Sequence, residues 1–290
     1  MSEALRRLAD ISCLLGEGPT YDRYSDTAWW FDILNKQLFE YRFGDDSLKK
    51  HELPFAASAL ARIDEKRQCL FTEQGLYIRQ CDDGSLSLLH AIEAENKHTR
   101  SNDARVHPSG AFWLGTMGWN AEKEAGSIYH YNRGELQTLF KGVTIPNAIC
   151  FSPDGSVGYY ADTALQQVMR VNLDVANGLP IDEPEIFITD FPENGAPDGA
   201  VTDAYGNIWI ALWGASMVGG YDPQGHLFQT ISVPAQQVSC PAFIGTDARR
   251  MLVTSAAVGL EEDVQTGTDG GVFLFDAPIQ GKIEPDLVVL

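Results

Sequence analysis

What most constrains this chain is a strand–turn–strand unit that recurs six times. It is plainest over residues 143–162. There 148–151 is a short apolar run, Pro153-Asp154-Gly155 is a turn, and Val157 opens a second run. Proline presets φ in such a turn, and glycine takes the positive φ that other residues resist. The pattern returns at 19–22 with 27–32, 59–64 with 69–73, and 104–110 with 111–115. It returns again at 200–206 with 207–211 and at 242–247 with 251–254. Matching points of the second runs, Trp30, Leu70, Trp113, Tyr159, Trp209 and Leu252, lie 40, 43, 46, 50 and 43 residues apart. A third run such as 127–131 follows each unit, and usually a fourth, more polar one such as 136–140. Alternation of period two with a repeat of this length predicts an all-β, six-bladed β-propeller with four antiparallel strands per blade. Two runs compete for the outer edge of the sixth blade, 8–12 and 286–290. With no linker or Gly/Ser-rich tract, residues 1–290 read as a single propeller domain.

Charge and cysteine usage narrow the function classes. The formal charge is −19, from 40 acidic against 21 basic residues. Such a field repels phosphate backbones, so nucleic acid is not an expected partner. No window approaches the roughly 20 apolar residues of a membrane span. Five cysteines without a CxxC pair read as buried small hydrophobes rather than disulfides, which points to a reducing, cytoplasmic setting. There is no Gly-x-Ser-x-Gly elbow, the histidines are scattered, and no glycine-rich run opens a helix that could cradle phosphate.

In a propeller the first strand of each blade lines the central channel, so equivalent positions form a ring at one mouth. Counting back five from the last strand residue before each turn gives Glu17, Ala59, Asn102, Asn147, Asp198 and Pro241. Four of the six bear oxygen and two are carboxylates. Crowded carboxylates repel unless a cation joins them. Hard-oxygen ligation suits Ca²⁺, Mg²⁺ or Mn²⁺. Trp119 and Trp213, after second strands, either wall the pocket or pack between blades.

These residues also carry a resemblance. Leu15-Gly-Glu17-Gly-Pro19, Arg100-Ser-Asn102-Asp103, Gly115-Thr-Met117, Asn147 ahead of Phe151-Ser-Pro-Asp-Gly155, Pro197-Asp198-Gly199 and Gly270-Gly-Val-Phe273 resemble the SMP-30/gluconolactonase (regucalcin-like) family, of the bacterial sugar lactonase type. The similarity spans essentially the whole chain. It implies a six-bladed propeller and one divalent metal ion (Ca²⁺, Mn²⁺, Mg²⁺, Zn²⁺ or Fe²⁺) on Glu17, Asn147 and Asp198. It further implies Asp198 as catalytic acid/base and Arg100 and Asn102 as contacts to substrate hydroxyls. Pro146-Asn147 stands where many relatives have Ser-Asn. After Gly-Thr-Met the animal members carry a substrate-binding glutamate; an ungapped reading puts Asn120 there, and a different loop length would put Glu122 or Glu124. The expected function is metal-dependent hydrolysis of a sugar (aldonic acid) lactone such as glucono-, xylono- or arabinono-lactone, by a monomer or weak homo-oligomer. The alternatives are a non-catalytic calcium-binding or interaction propeller, and a metal-dependent esterase of another substrate class.

Overall fold

Five repeats fold as four-stranded antiparallel meanders and the sixth supplies three strands, because their short alternating runs are separated by turns that return the chain beside itself. The computed structural model describes residues 5–260 and 267–290. The chain is an all-β propeller of four-stranded blades. Four meanders are separate sheets, with innermost strands Gly16–Asp22, Ala57–Arg62, Thr99–Val106 and Pro146–Phe151. Eight further strands form one sheet, in which the meanders beginning at Ala196–Thr202 and Gln237–Ile244 are joined by the single pair Trp213–Gln237. The innermost strands contact one another in chain order, and the first also meets Gln237–Ile244, which closes a ring. The helical structure among the described residues is one 3₁₀ turn, Thr163–Leu165.

Six apolar clusters fill the spaces between neighbouring meanders. Trp30 packs with Leu252 and Leu274, Trp113 with Phe151 and Tyr160, and Trp209 with Val253 and Phe273. Trp30, Leu70, Trp113, Tyr159, Trp209 and Leu252 are all buried, so the periodic marker of the sequence is the residue that wedges between sheets. Each such side chain contributes roughly 1.5–3 kcal/mol by leaving water.

Neither candidate edge run forms the outer strand itself, which lies just ahead of 8–12. Arg6–Arg7 pairs with Phe273–Asp276 as the outer strand of the last meander. The backbone continues beside it, with Leu8 N–H donating to Val272 O at 2.7 Å and Cys13 N–H to Gly270 O at 2.8 Å. The other end crosses to the second and third meanders, where Leu287 N–H donates to Arg62 O at 2.7 Å and Val288 N–H to Gly110 O at 3.0 Å. Leu287 and Val289 are buried in the cluster between those two sheets. Four cysteines are buried as expected, but Cys81 is exposed; all five are free thiols. No helix of the described residues is long and apolar enough to cross a membrane.

Candidate functional site

Every innermost strand breaks register near its start, between Glu17 and Thr20, Ala57 and Ala59, Ser101 and Ala104, Asn147 and Cys150, Pro197 and Ala200, and Val238 and Cys240. A bulge re-aims the side chains it contains, and the candidate residues sit at four of these six. The pairing does not put them at one position, however. Glu17 and Asn147 are the last paired residues before their bulges, whereas Asn102 and Asp198 lie one residue inside theirs. Counting from the turn hid this, because the arm between bulge and turn is one residue longer in the third and fifth meanders than in the first and fourth.

Local backbone geometry fits the same division. The residues after Glu17 and Asn147, Gly18 (φ 57°) and Ala148 (φ 50°), are both left-handed. A Cβ at Gly18 would lie 2.0 Å from Ser58 O, so glycine is required there. Ala148 carries the strain of a side chain in this region, about 1 kcal/mol or more. Behind Asp198, a Cβ at Gly199 would lie 2.4 Å from Cys240 Sγ. An aspartate ending the next strand clamps the loop that enters each of the first and fourth innermost strands. Asp32 accepts from Leu14 N–H (2.7 Å) and Leu15 N–H (3.1 Å), and Asp162 accepts from Thr144 N–H (2.8 Å) and Ile145 N–H (3.2 Å).

Glu17, Arg100, Asn102, Asn147 and Asp198 line one cavity of about 340 Å³. Asp198, Asn147, Arg100 and Asn102 are buried on its floor, and Glu17 keeps part of its surface open to it. Trp119 and Trp213 line the same cavity and also pack on the apolar cluster around Leu15, so both readings of these tryptophans hold. Asn120 does not reach it. That side chain is exposed and donates from Nδ2 to Glu122 Oε1 at 2.9 Å, while its backbone N–H meets Glu122 Oε2 at 3.1 Å. Neither Glu122 nor Glu124 is among the lining residues.

The floor is tied together by one chain of hydrogen bonds. Arg100 Nη1 donates to Asn102 Oδ1 (2.8 Å), and Asn102 Nδ2 donates to Asn147 Oδ1 (2.8 Å) and Pro146 O (3.0 Å). Asn147 Nδ2 then donates to Thr163 Oγ1 (2.9 Å), and the Thr163 hydroxyl donates to Pro197 O (2.6 Å), the residue before Asp198. Three meanders are thereby held in one arrangement, with Asn102 as a link as well as a candidate contact. Sequence reading missed Thr163. Its signal was available, since it lies just past the strand that pairs with Asn147. Asp103, quoted without a role, accepts from Ile149 N–H at 2.7 Å and so fixes the strand carrying Asn147.

Charge is concentrated here. Burial raises the Asp198 carboxyl well above the usual range, and the nearby charges of Glu17 and Asp103 push the same way. Glu17 is raised by burial and then by Asp103, against the opposing pull of the Gly18 N–H, Arg100 and Arg105. Burial lowers Arg100 to about 10, although Glu17 and Asp198 favour its charge. Among the described residues neither Glu17 nor Asp198 forms an ion pair, and no group of three or more His, Cys, Asp or Glu side chains is placed to hold a metal. A metal-binding set here must therefore include an amide oxygen. Two mutually repelling carboxylates beside the carbonyl oxygen of Asn147 fit a hard divalent cation.

Comparison with known proteins shows the family. A family model described as the SMP-30/gluconolactonase/LRE-like region matches residues 15–257. The chain is 44% identical over 282 residues to a Rhizobium meliloti (strain 1021) protein named provisionally as a sugar lactone lactonase, covering 97% of this chain and 96% of that one. It is 33% identical over 278 residues to the L-arabinolactonase of Azospirillum brasilense, covering 92% and 90%. The crystal structure of a calcium-binding protein, regucalcin, from Agrobacterium tumefaciens strain C58 superposes with a TM-score of 0.96 at 45% identity, over 99% of this chain and 98% of that one. The register breaks, Gly18, Gly199 and every cavity residue but Val258 thus lie within residues 15–257, and the chain belongs to the SMP-30/gluconolactonase/LRE-like family.

Proposed function

We propose that this protein is a metal-dependent hydrolase of sugar (aldonic acid) lactones, acting as one six-bladed domain over residues 1–290. The blade count treats the eight-stranded sheet as two blades meeting at one residue pair. The observation that carries the activity is the convergence of Glu17, Asn147, Asp198 and Arg100 on a single cavity in a member of this family. Relatives named as sugar lactone lactonase and L-arabinolactonase support the substrate class. Free cysteines support a reducing, cytoplasmic setting.

Glu17, Asn147 and Asp198 would hold one divalent cation through their oxygens. Such a cation, when bound, polarises a carbonyl and lowers the pKa of water. Asp198 is the residue with a proton to manage. Its carboxylate sits at the cavity floor, where it can take a proton from the attacking water and return one to the ring oxygen that leaves. Arg100 is anchored through Nη1 and lines the cavity, where its guanidinium can orient substrate hydroxyls. Asn102 holds Arg100 and Asn147 in register.

The test is turnover of gluconic, xylonic, arabinonic and galactonic lactones by metal-stripped protein and after each metal is restored, corrected for spontaneous hydrolysis. Turnover that disappears on stripping and returns with a divalent ion is expected. Absence of turnover of every lactone under every metal would sink the reading in favour of a binding propeller.

A further inference from the structure

Arg105 lies on the third innermost strand, and its buried guanidinium reaches the three innermost strands that follow. Nε donates to Ile149 O at 3.4 Å, and Nη2 donates to Ala200 O at 3.0 Å and to Cys240 Sγ at 3.7 Å. These acceptors sit directly behind the candidate metal ligands. Ile149 is the last residue inside the bulge that follows Asn147, and Ala200 is the first residue paired again after the bulge holding Asp198. Asp103 accepts from Ile149 N–H at 2.7 Å, so the third strand grips Ile149 by both its N–H and its carbonyl. Cys240 Sγ is the atom against which Gly199 packs.

A buried cation needs compensation. Burial opposes the charge of Arg105, but Glu284 above all holds the guanidinium protonated. Glu284 and Arg105 line one small cavity of about 30 Å³. Glu284 belongs to the final segment of the chain, which is pinned by Gly281 N–H to Ala248 O at 2.9 Å and Leu287 N–H to Arg62 O at 2.7 Å. We propose that Arg105 is a positioning residue of the metal site, fixing from behind the backbone that presents Asn147 and Asp198. This rests on the reading of those two residues as ligands. Positioning and charge act in opposite directions here. The positive charge of Arg105 is felt at Glu17, so by charge alone its removal would tighten cation binding. Loss of the two carbonyl contacts would weaken it.

The experiment is calorimetric titration of Ca²⁺ and of Mn²⁺ into metal-stripped wild-type protein and variants, below the unfolding temperature of each. Groups that orient a ligand change metal affinity by about 10- to 100-fold, so Arg105→Met is expected to bind at least one of the ions about tenfold more weakly or worse. Arg105→Met/Glu284→Gln deletes both charges together and leaves the net charge unchanged; the same loss is expected. Arg105→Lys keeps the charge without the planar fork, holds one carbonyl instead of two, and should fall between. Leu76→Ala, in the buried cluster between the second and third meanders, lowers stability without touching these bonds and should keep wild-type affinity. A folded methionine variant that binds both ions as tightly as wild type, or more tightly, overturns the proposal. Should neither methionine variant fold, wild-type affinity in Arg105→Lys overturns it instead, and weaker binding supports it. Wild-type protein that binds no divalent ion removes the ligand reading together with this one.

Discussion

Asp198 is given two tasks, ligand and proton carrier, and one substitution tells them apart. Asp198→Asn keeps an oxygen for the cation but has no proton to exchange. Measured at saturating metal, kcat should fall by about 10² or more, the range of a lost general base. Activity within a few-fold of wild type would reduce Asp198 to a ligand. Gly199 supports it from behind: Gly199→Ala forces a Cβ to within 2.4 Å of Cys240 Sγ, so lowered activity with intact secondary structure is expected. The carboxylates also predict a pH dependence. Burial lifts Glu17 from the ordinary 4.5 to about 8 and raises Asp198 in the same direction. In metal-stripped protein this stabilisation is present below pH about 4.5 and is lost as pH rises through about 8. Added divalent cation must displace those protons. The gain in Tm on adding metal should therefore grow between pH 5 and pH 8 in calorimetry, and a flat or falling gain would contradict the ligand assignment.

Elements decide how the ligands are presented. Thr163 bridges the strand bearing Asn147 and the backbone before Asp198, through bonds of 2.9 and 2.6 Å. Thr163→Val keeps the shape and removes both. Partners that orient a ligand typically change metal affinity by 10- to 100-fold. We expect at least tenfold weaker divalent binding by titration calorimetry with an unchanged circular dichroism spectrum. Unchanged affinity would mean that the bulge alone orients Asn147. Asp162, which clamps the entry to the same strand with two backbone bonds, belongs to this level too.

At the scale of the molecule, both chain ends are used to hold sheets together. The segment around Leu287 and Val289 covers the cluster between the second and third meanders, and Leu287 is 2% exposed. Leu287→Ala should lower stability by about 2–5 kcal/mol in urea unfolding, as for other buried leucines. Removing residues 1–13 should weaken the molecule as well, since Arg6–Arg7 and Leu8 complete the last meander and Leu8 packs beside Trp30. Wild-type thermal stability after that deletion would show that the edge strand is dispensable.

The sequence by itself determined the sheet architecture, because period-two alternation, turn residues and the spacing of Trp30, Trp113 and Trp209 are local or regularly repeated signals. It also named Glu17, Asn102, Asn147 and Asp198, and these do line one cavity. Tertiary structure alone decided three matters. The bulges separate Glu17 and Asn147 from Asn102 and Asp198, a difference set by hydrogen-bond pairing between strands and invisible to a count along one strand. Asn120 turns toward Glu122 and leaves the cavity, because a loop side chain takes the nearest available partner. The chain ends choose different sheets, since Leu8 and Leu287 are equally apolar in sequence and differ in which gap between sheets each can fill.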